Sequence, residues 1–308
     1  MSTELPRISS GLTGVQIGPL AGFRGQEDWG RWTLGKVSEV SFRTERSLWA
    51  EGHIKFGLPF PQQTATITLN GERIAEVRSL RQPATYELRL ALQLKAGNNI
   101  LRIETNKSNR SPENLPFAPK DISDMALSVS EFELTTVQPF TTKSSGQIYN
   151  TLILNTSAAY KGVAGTKAQF FVQATGQQIL NYRLLGARDG QTFQIQLDGR
   201  TLLNTTALQR GTLVVGQLPF ELSDQLHTVS VVTRNQQAAQ AIVPDSVGNL
   251  EYYNGSFPFY IQELSLTPPQ PWQAWQQPAA GLGAGLCVAV LAWWLLRPRQ
   301  ARSSSKRL

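Results

Sequence analysis

Ile67 to Arg73 reads ITLNGER, and 128 residues further on Ile195 to Thr201 reads IQLDGRT. Each is an apolar–polar alternation running into Asn-Gly or Asp-Gly. Such pairs favour a two-residue hairpin turn, whose central residues must both take positive φ. The same offset lays Leu101–Thr105 (LRIET) on Val229–Thr233 (VSVVT), and an offset of 132 lays Ser128–Thr135 (SVSEFELT) on Tyr260–Thr267 (YIQELSLT). Three matched segments in one order describe a duplicated unit of roughly 130 residues.

Period-2 alternation recurs at Thr64–Asn70, Tyr86–Leu94, Asn99–Thr105, Gln169–Val172, Thr192–Leu197, Thr228–Thr233 and Tyr260–Leu266. No sustained helical period separates these segments, so they predict an all-β chain of antiparallel sandwiches. The expected organisation is an N-terminal segment, 1–13, then one sandwich over 14–138 and a second over 139–269. A Pro/Gln linker follows at 270–278.

Beyond the linker, Ala279–Leu296 (AAGLGAGLCVAVLAWWLL) carries no charge over eighteen residues. As a helix it would extend about 27 Å, close to the hydrocarbon thickness of a bilayer. Trp272 and Trp275 precede it, and Trp293 and Trp294 close it, as aromatic residues do at membrane interfaces. The tail 297–308 holds Arg297, Arg299, Arg302, Lys306 and Arg307 with no acid, which places it on the cytoplasmic side and the body outside. Gly281 and Gly285 form a GxxxG spacing suited to close contact with another membrane helix. Met1–Leu20 shows no apolar leader, so export of the body is expected to use a signal not visible in this sequence.

The net charge of +7 therefore belongs to the tail, and the first 296 residues carry only +2. The tail lacks interleaved aromatic residues, which argues against nucleic acid and for anionic lipid at the inner leaflet. A single cysteine (Cys287) and two histidines (His53 and His227) disfavour disulfide frameworks, zinc sites and most histidine-dependent chemistry. No GxSxG elbow, P-loop or GxGxxG occurs. The chain is expected to be non-catalytic, without cofactor or metal.

Gly22–Gly35 reads GFRGQEDWGRWTLG. This resembles the opening motif of a jelly-roll, galactose-binding-like domain attached to bacterial membrane enzymes of surface-glycan and phosphoglycerol metabolism. Glu27, Trp29, Gly30, Trp32, Thr33 and Gly35 fall on that pattern. Asn98–Ile103, Ser111-Pro112 and Asp121 echo its later features, but ISDMAL after Asp121 departs from the family's arginine and leucine-glycine pair. The resemblance covers about 120 residues of the first repeat, and implies two tandem jelly-roll, galactose-binding-like sandwiches. In its order of parts the chain is also similar to the cellulose synthase regulatory subunit, which strings carbohydrate-binding-like β-domains ahead of one C-terminal anchor.

Sugar rings are held by aromatic faces, and their hydroxyls are read by carboxylates, amides and guanidinium groups. Glu27, Trp29 and Arg31 offer that mixture, and on a strand their shared parity would put them on one face, with Trp32 directed into the core. An alternative pairs Glu27 with Arg31 and uses both tryptophans for packing. Trp49 lies in an alternating run and serves either as core or as a stacking platform. Tyr252 and Tyr253, in an expected loop NLEYYNGSFPF, are the corresponding aromatic candidates of the second repeat.

These features predict a membrane-anchored accessory subunit whose carbohydrate-binding-like modules scaffold a polytopic membrane glycan synthase or exporter. Its partners would be that membrane protein, a glycan and anionic lipid. The alternative is a structural or adhesive envelope protein that binds other proteins by strand addition along open sheet edges.

Overall fold

The computed structural model describes residues 8–269, apart from 80–82, 113–122, 143, 153–160, 188, 207, 210, 235–238, 245–249 and 258. The expected linker from 270, the apolar segment with Gly281 and Gly285, the basic tail and Asp121 lie outside the described residues. Among the described residues no helix is long and apolar enough to cross a membrane.

The chain is all-β. Its first half forms β1 (Ile8–Ser10), β2 (Val15–Ala21), β3 (Arg31–Leu34), β4 (Val37–Thr44), β5 (Leu48–Leu58), β6 (Thr64–Leu69), β7 (Glu72–Arg78), β8 (Ala84–Leu94), β9 (Gly97–Thr105) and β10 (Met125–Thr136). The second half forms β11 (Ile148–Tyr149), β12 (Thr151–Leu152), β13 (Lys161–Val163), β14 (Lys167–Val172), β15 (Gly176–Gly186), β16 (Phe193–Leu197), β17 (Arg200–Asn204) and β18 (Leu213–Leu222). It closes with β19 (His227–Thr233), β20 (Ala239–Pro244), β21 (Leu250–Phe257) and β22 (Phe259–Thr267).

Strand order makes the duplication explicit. One five-stranded sheet runs β2-β4-β9-β6-β7, and its counterpart runs β11-β14-β19-β16-β17. Facing them, β10-β5-β8 and β22-β15-β18 repeat the same order within one ten-stranded sheet. β5 and β15 coincide in length and ends at the offset of 128 read from the sequence. The hairpins β6–β7 and β16–β17 turn on Asn70-Gly71 and Asp198-Gly199. All four residues have positive φ, at 52°, 83°, 48° and 81°, as the tight right-twisted connection requires.

Each repeat thus places five strands against three, the eight-strand, two-sheet layout of jelly-roll-like sandwiches. Inward-facing residues of both sheets meet between them. In the first repeat Val40, Phe42, Ile67 and Leu101 pack on Ile54, Leu88, Leu90 and Phe132. In the second Phe170, Phe193, Ile195 and Val231 pack on Leu180, Leu184, Phe259 and Ile261. Phe42 stacks on Phe132 with ring centroids 5.8 Å apart, and Phe193 meets Phe259 edge to face at 5.2 Å. Each fully buried side chain of this size contributes about 1.5–3 kcal/mol.

The ten-stranded sheet passes through both sandwiches because β8 pairs with β12, β12 with β13 and β13 with β22. Leu88 and its partner Leu152 face the first core, whereas Val163 and Ile261 face the second. Side chains of successive strand residues alternate between faces, so the two cores lie on opposite faces of one sheet. The consequence is functional geography. The outer face of β5, β8 and β10 lies on the same side of the sheet as the second core, where Trp49 and Ala91 pack with Tyr149 and Phe171.

Candidate functional site

The glycine-rich stretch 22–35 forms a small hairpin on the edge of β10 away from β5, alongside the segment 132–134 that β1 pairs. β3 pairs antiparallel with β10, Arg31 opposite Val129 and Trp32 opposite Ser128. The hairpin closes at Glu27 and Gly30, whose backbones bond reciprocally, Glu27 N to Gly30 O at 2.8 Å and Gly30 N to Glu27 O at 3.2 Å. Gly30 is buried with φ at 146°, and a Cβ there would sit 2.3 Å from the Val129 carbonyl oxygen. Only glycine lets this turn lie so closely on β10.

The turn lifts Asp28 and Trp29 to the tip. Trp29 is 40% exposed, and its indole Nε1 donates to Glu27 Oε2 at 2.8 Å. Its ring meets Trp32 edge to face, 5.4 Å between centroids at 71°. Arg31 Nε donates to Gln26 Oε1 at 2.8 Å, and its Nη1 donates to the Arg24 carbonyl at 3.3 Å. Gln26 in turn donates to the Glu27 carbonyl at 2.8 Å. One indole, one carboxylate, one amide and one guanidinium are therefore fixed within a single hairpin.

Two details differ from the sequence expectations, one from the alternative that paired Glu27 with Arg31 and one from the inward direction given to Trp32. Glu27 bonds the Trp29 indole rather than Arg31, because the 27–30 turn interrupts the strand. Trp32 is half-buried under Trp29, and the residue that enters the core is Thr33, 2% exposed, whose Oγ1 accepts the Leu127 amide at 3.0 Å.

The other aromatic candidates are placed elsewhere. Trp49 is half-buried with its ring 5.0 Å from Phe171, so it packs where the repeats join and is not grouped with Trp29. Tyr252 and Tyr253 lie on β21 rather than in a loop, Tyr252 opposite Ile242 in the ribbon β20–β21. Aromatic residues fit a pleated strand readily, which the glycine and proline that follow them obscured.

A second polar group gathers around His53 and Glu51, whose partners left no sign in the sequence. On the outer face of β5 and β8, Glu51 is 3% exposed and accepts from Arg89 Nη1 at 2.5 Å. His53 Nε2 lies 2.8 Å from Glu87 Oε1, with its Nδ1 3.7 Å from Glu131. The cross-strand register, Glu51 opposite Ala91 and His53 opposite Arg89, makes these residues neighbours. Finding them needed the pairing of β5 with β8 and the side of the sheet on which the second repeat packs.

No family model matches the chain, and no curated protein matches it. Among solved structures, an archaeal virus turret protein with a triple jelly-roll fold is similar at a TM-score of 0.38 and 10% identity, over 78% of this chain and 55% of that one. The insecticidal delta-endotoxin Cry8Ea1 of Bacillus thuringiensis is similar at 0.27 and 9% identity, over 83% of this chain and 53% of the toxin. The chain spans little more than half the length of either. What it shares with them is a distant likeness of β-sandwich, jelly-roll-like architecture, with no family assignment.

Proposed function

We propose that this protein is a membrane-anchored, outward-facing accessory subunit whose tandem galactose-binding-like sandwiches hold a glycan near a polytopic membrane synthase or exporter. The observation that carries the reading is Trp29. Its ring stands exposed at a hairpin tip, steadied by Trp32 beside it and by the Glu27 carboxylate on its nitrogen. Such a ring supplies the apolar platform for a pyranose, and Glu27, Gln26 and Arg31 supply donors and acceptors for hydroxyl groups. Binding of this kind needs no nucleophile and no cofactor. The apolar segment 279–296, with Gly281 and Gly285, would dock on the membrane partner, and the basic tail would hold anionic lipid.

The test is a glycan array probed with the detergent-solubilised full chain and with Trp29→Ala. Binding that falls at least about tenfold in the variant, a loss of about 1.4 kcal/mol, supports the reading. Equal binding by the two proteins, or none by either, overturns it. Co-purification of a polytopic partner that is lost in Gly281→Leu/Gly285→Leu tests the anchor's part separately.

One observation favours the adhesive alternative. β18 ends the ten-stranded sheet and, among the described residues, pairs only with β15. Its counterpart β8 is covered on that edge by β12. Val215 on β18 is 60% exposed. An open edge with an exposed apolar residue is a template for strand addition.

A further inference from the structure

Asp198, His227 and Ser223 form a connected polar chain at one end of the second repeat. His227 Nδ1 lies 2.6 Å from Asp198 Oδ2, and His227 Nε2 lies 3.1 Å from Ser223 Oγ. The carboxylate only accepts, so Nδ1 carries the proton and donates, which leaves Nε2 of a neutral ring to accept from the serine hydroxyl. Nε2 also lies 3.3 Å from the Ser223 carbonyl oxygen, so the hydroxyl is its nearer partner. The ring is nearly enclosed, with His227 5% exposed, while Ser223 is exposed on the turn between β18 and β19. A carboxylate that orients an imidazole, which in turn contacts a hydroxyl, is the arrangement by which an ordinary serine becomes a nucleophile.

The first repeat shows what the fold itself requires at this place. At the same offset Asn70, Asn99 and Lys95 replace Asp198, His227 and Ser223. Asn70 Oδ1 accepts the Ile100 amide at 2.9 Å, as Asp198 Oδ1 accepts the Thr228 amide at 2.8 Å. Asn99 Oδ1 accepts from Asn70 Nδ2 at 2.9 Å, and its Nδ2 donates to the Lys95 carbonyl at 2.8 Å. Two amides therefore bracket the hairpin in the first repeat. An acid, an imidazole and a hydroxyl bracket it in the second, where the fold does not demand them.

The geometry points to Ser223 as a nucleophile toward small acyl esters, with His227 as its general base and Asp198 as a positioning residue. Ser223 Oγ bonds the acyl carbon as its proton passes to His227 Nε2. The ester C–O bond then breaks, and the leaving alkoxide takes that proton. Water, activated by the same nitrogen, cleaves the acyl-serine, releases the carboxylic acid and returns the proton to Oγ. Because Ser223 stands on an exposed turn, the fitting substrates carry their ester at the outside of a larger molecule. This step does not depend on glycan contact at Trp29.

The test is labelling of the full chain with a fluorophosphonate, with the modified residue located by mass spectrometry, in wild type, Ser223→Ala, His227→Asn and Asp198→Asn. The asparagine variants restore the amides found in the first repeat, so they keep the bracket and the fold, which thermal unfolding verifies. Label on Ser223 in the wild type, slowed about 100-fold in His227→Asn, is the expected result. Asp198→Asn lowers the maximal labelling rate without changing the probe concentration at half-maximal rate. No label on Ser223, or equal rates in wild type and folded His227→Asn, overturns the proposal. If His227→Asn unfolds, label on Ser223 that competes with a p-nitrophenyl ester supports it, and label that does not compete overturns it.

Discussion

Glu51 and Tyr149 meet across the boundary between the repeats. The tyrosine hydroxyl donates to Glu51 Oε2 at 3.1 Å, while Arg89 donates to Oε1 at 2.5 Å. The same hydroxyl accepts the Gln138 amide at 2.7 Å. A carboxylate 3% exposed is tolerated because both its oxygens are paired. Beside this pair Asn150 Oδ1 accepts the Ala91 amide at 3.1 Å, so polar as well as apolar contacts hold the second repeat on the outer face of the first.

Removing one partner should cost more than removing the pair. Arg89→Met leaves the buried Glu51 carboxylate without its cation and is expected to destabilise by about 3–5 kcal/mol. Adding Glu51→Gln to that variant should recover much of the loss, since no buried charge then remains. Urea unfolding of both variants and of Glu51→Gln alone closes the cycle. A single-variant loss under about 1 kcal/mol would remove this pair from the forces that join the repeats.

Alkaline titration should separate two opposing groups at this junction. Burial pushes the Tyr149 hydroxyl well above the ordinary tyrosine range, with the Glu51 charge adding to the effect against the Gln138 amide. Burial also holds Lys161 below the ordinary lysine range, with the Arg89 charge adding to it. Between the lowered folded value of Lys161 and about pH 10.5, the unfolded chain binds more protons at this lysine, so stability rises with pH. Above about pH 10, the folded chain keeps a Tyr149 proton that the unfolded chain releases, so stability falls. Lys161→Met should abolish the rise and Tyr149→Phe the fall, read from urea midpoints between pH 8 and 11. A wild-type profile unchanged by either substitution would contradict both assignments.

The repeat and its hairpins were legible because Asn70-Gly71 and Asp198-Gly199 set turn and register together, and because alternation in Thr64–Leu69 or Phe193–Leu197 is long enough to count. The shared sheet was not. β12 and β13 have two and three residues, too few to show a period, yet Thr151, Leu152 and Val163 decide that the two cores take opposite faces. At the glycan candidate the residue types were legible in Glu27, Trp29 and Arg31, but the partners were not, because a four-residue turn displaces the strand parity. Ser223 and His227 lie four apart without a recognisable motif, and Asp198 reaches them only through the pairing of β16 with β19.

The hairpin that presents Trp29 depends on Gly30. A methyl group there meets the Val129 carbonyl at 2.3 Å, and φ of 146° is a conformation that L residues avoid. Gly30→Ala is expected to cost about 3 kcal/mol and to lift the hairpin from β10. Hydrogen exchange should show faster exchange at the Arg24 and Gly30 amides, whose acceptors Trp32 O and Glu27 O lie within the hairpin. Unchanged protection at both amides would show that the edge of β10 yields instead.

Trp29 and Trp32 should separate binding from stability. Trp29 is the more exposed of the two rings, at 40%, so Trp29→Ala is expected to cost about 1 kcal/mol, less than the loss of the ring beneath it. Trp32 lies half-buried beneath it, and Trp32→Ala removes the surface on which the upper ring rests, at about 1–3 kcal/mol. Glu27→Gln keeps the size of the side chain and an acceptor for the indole, so it should leave stability nearly unchanged while weakening a charge-assisted bond. Thermal unfolding and indole fluorescence of the three variants give the comparison. If Trp29→Ala destabilises as much as Trp32→Ala, the two rings act as one packing unit, and the exposed ring loses its claim to be a binding surface.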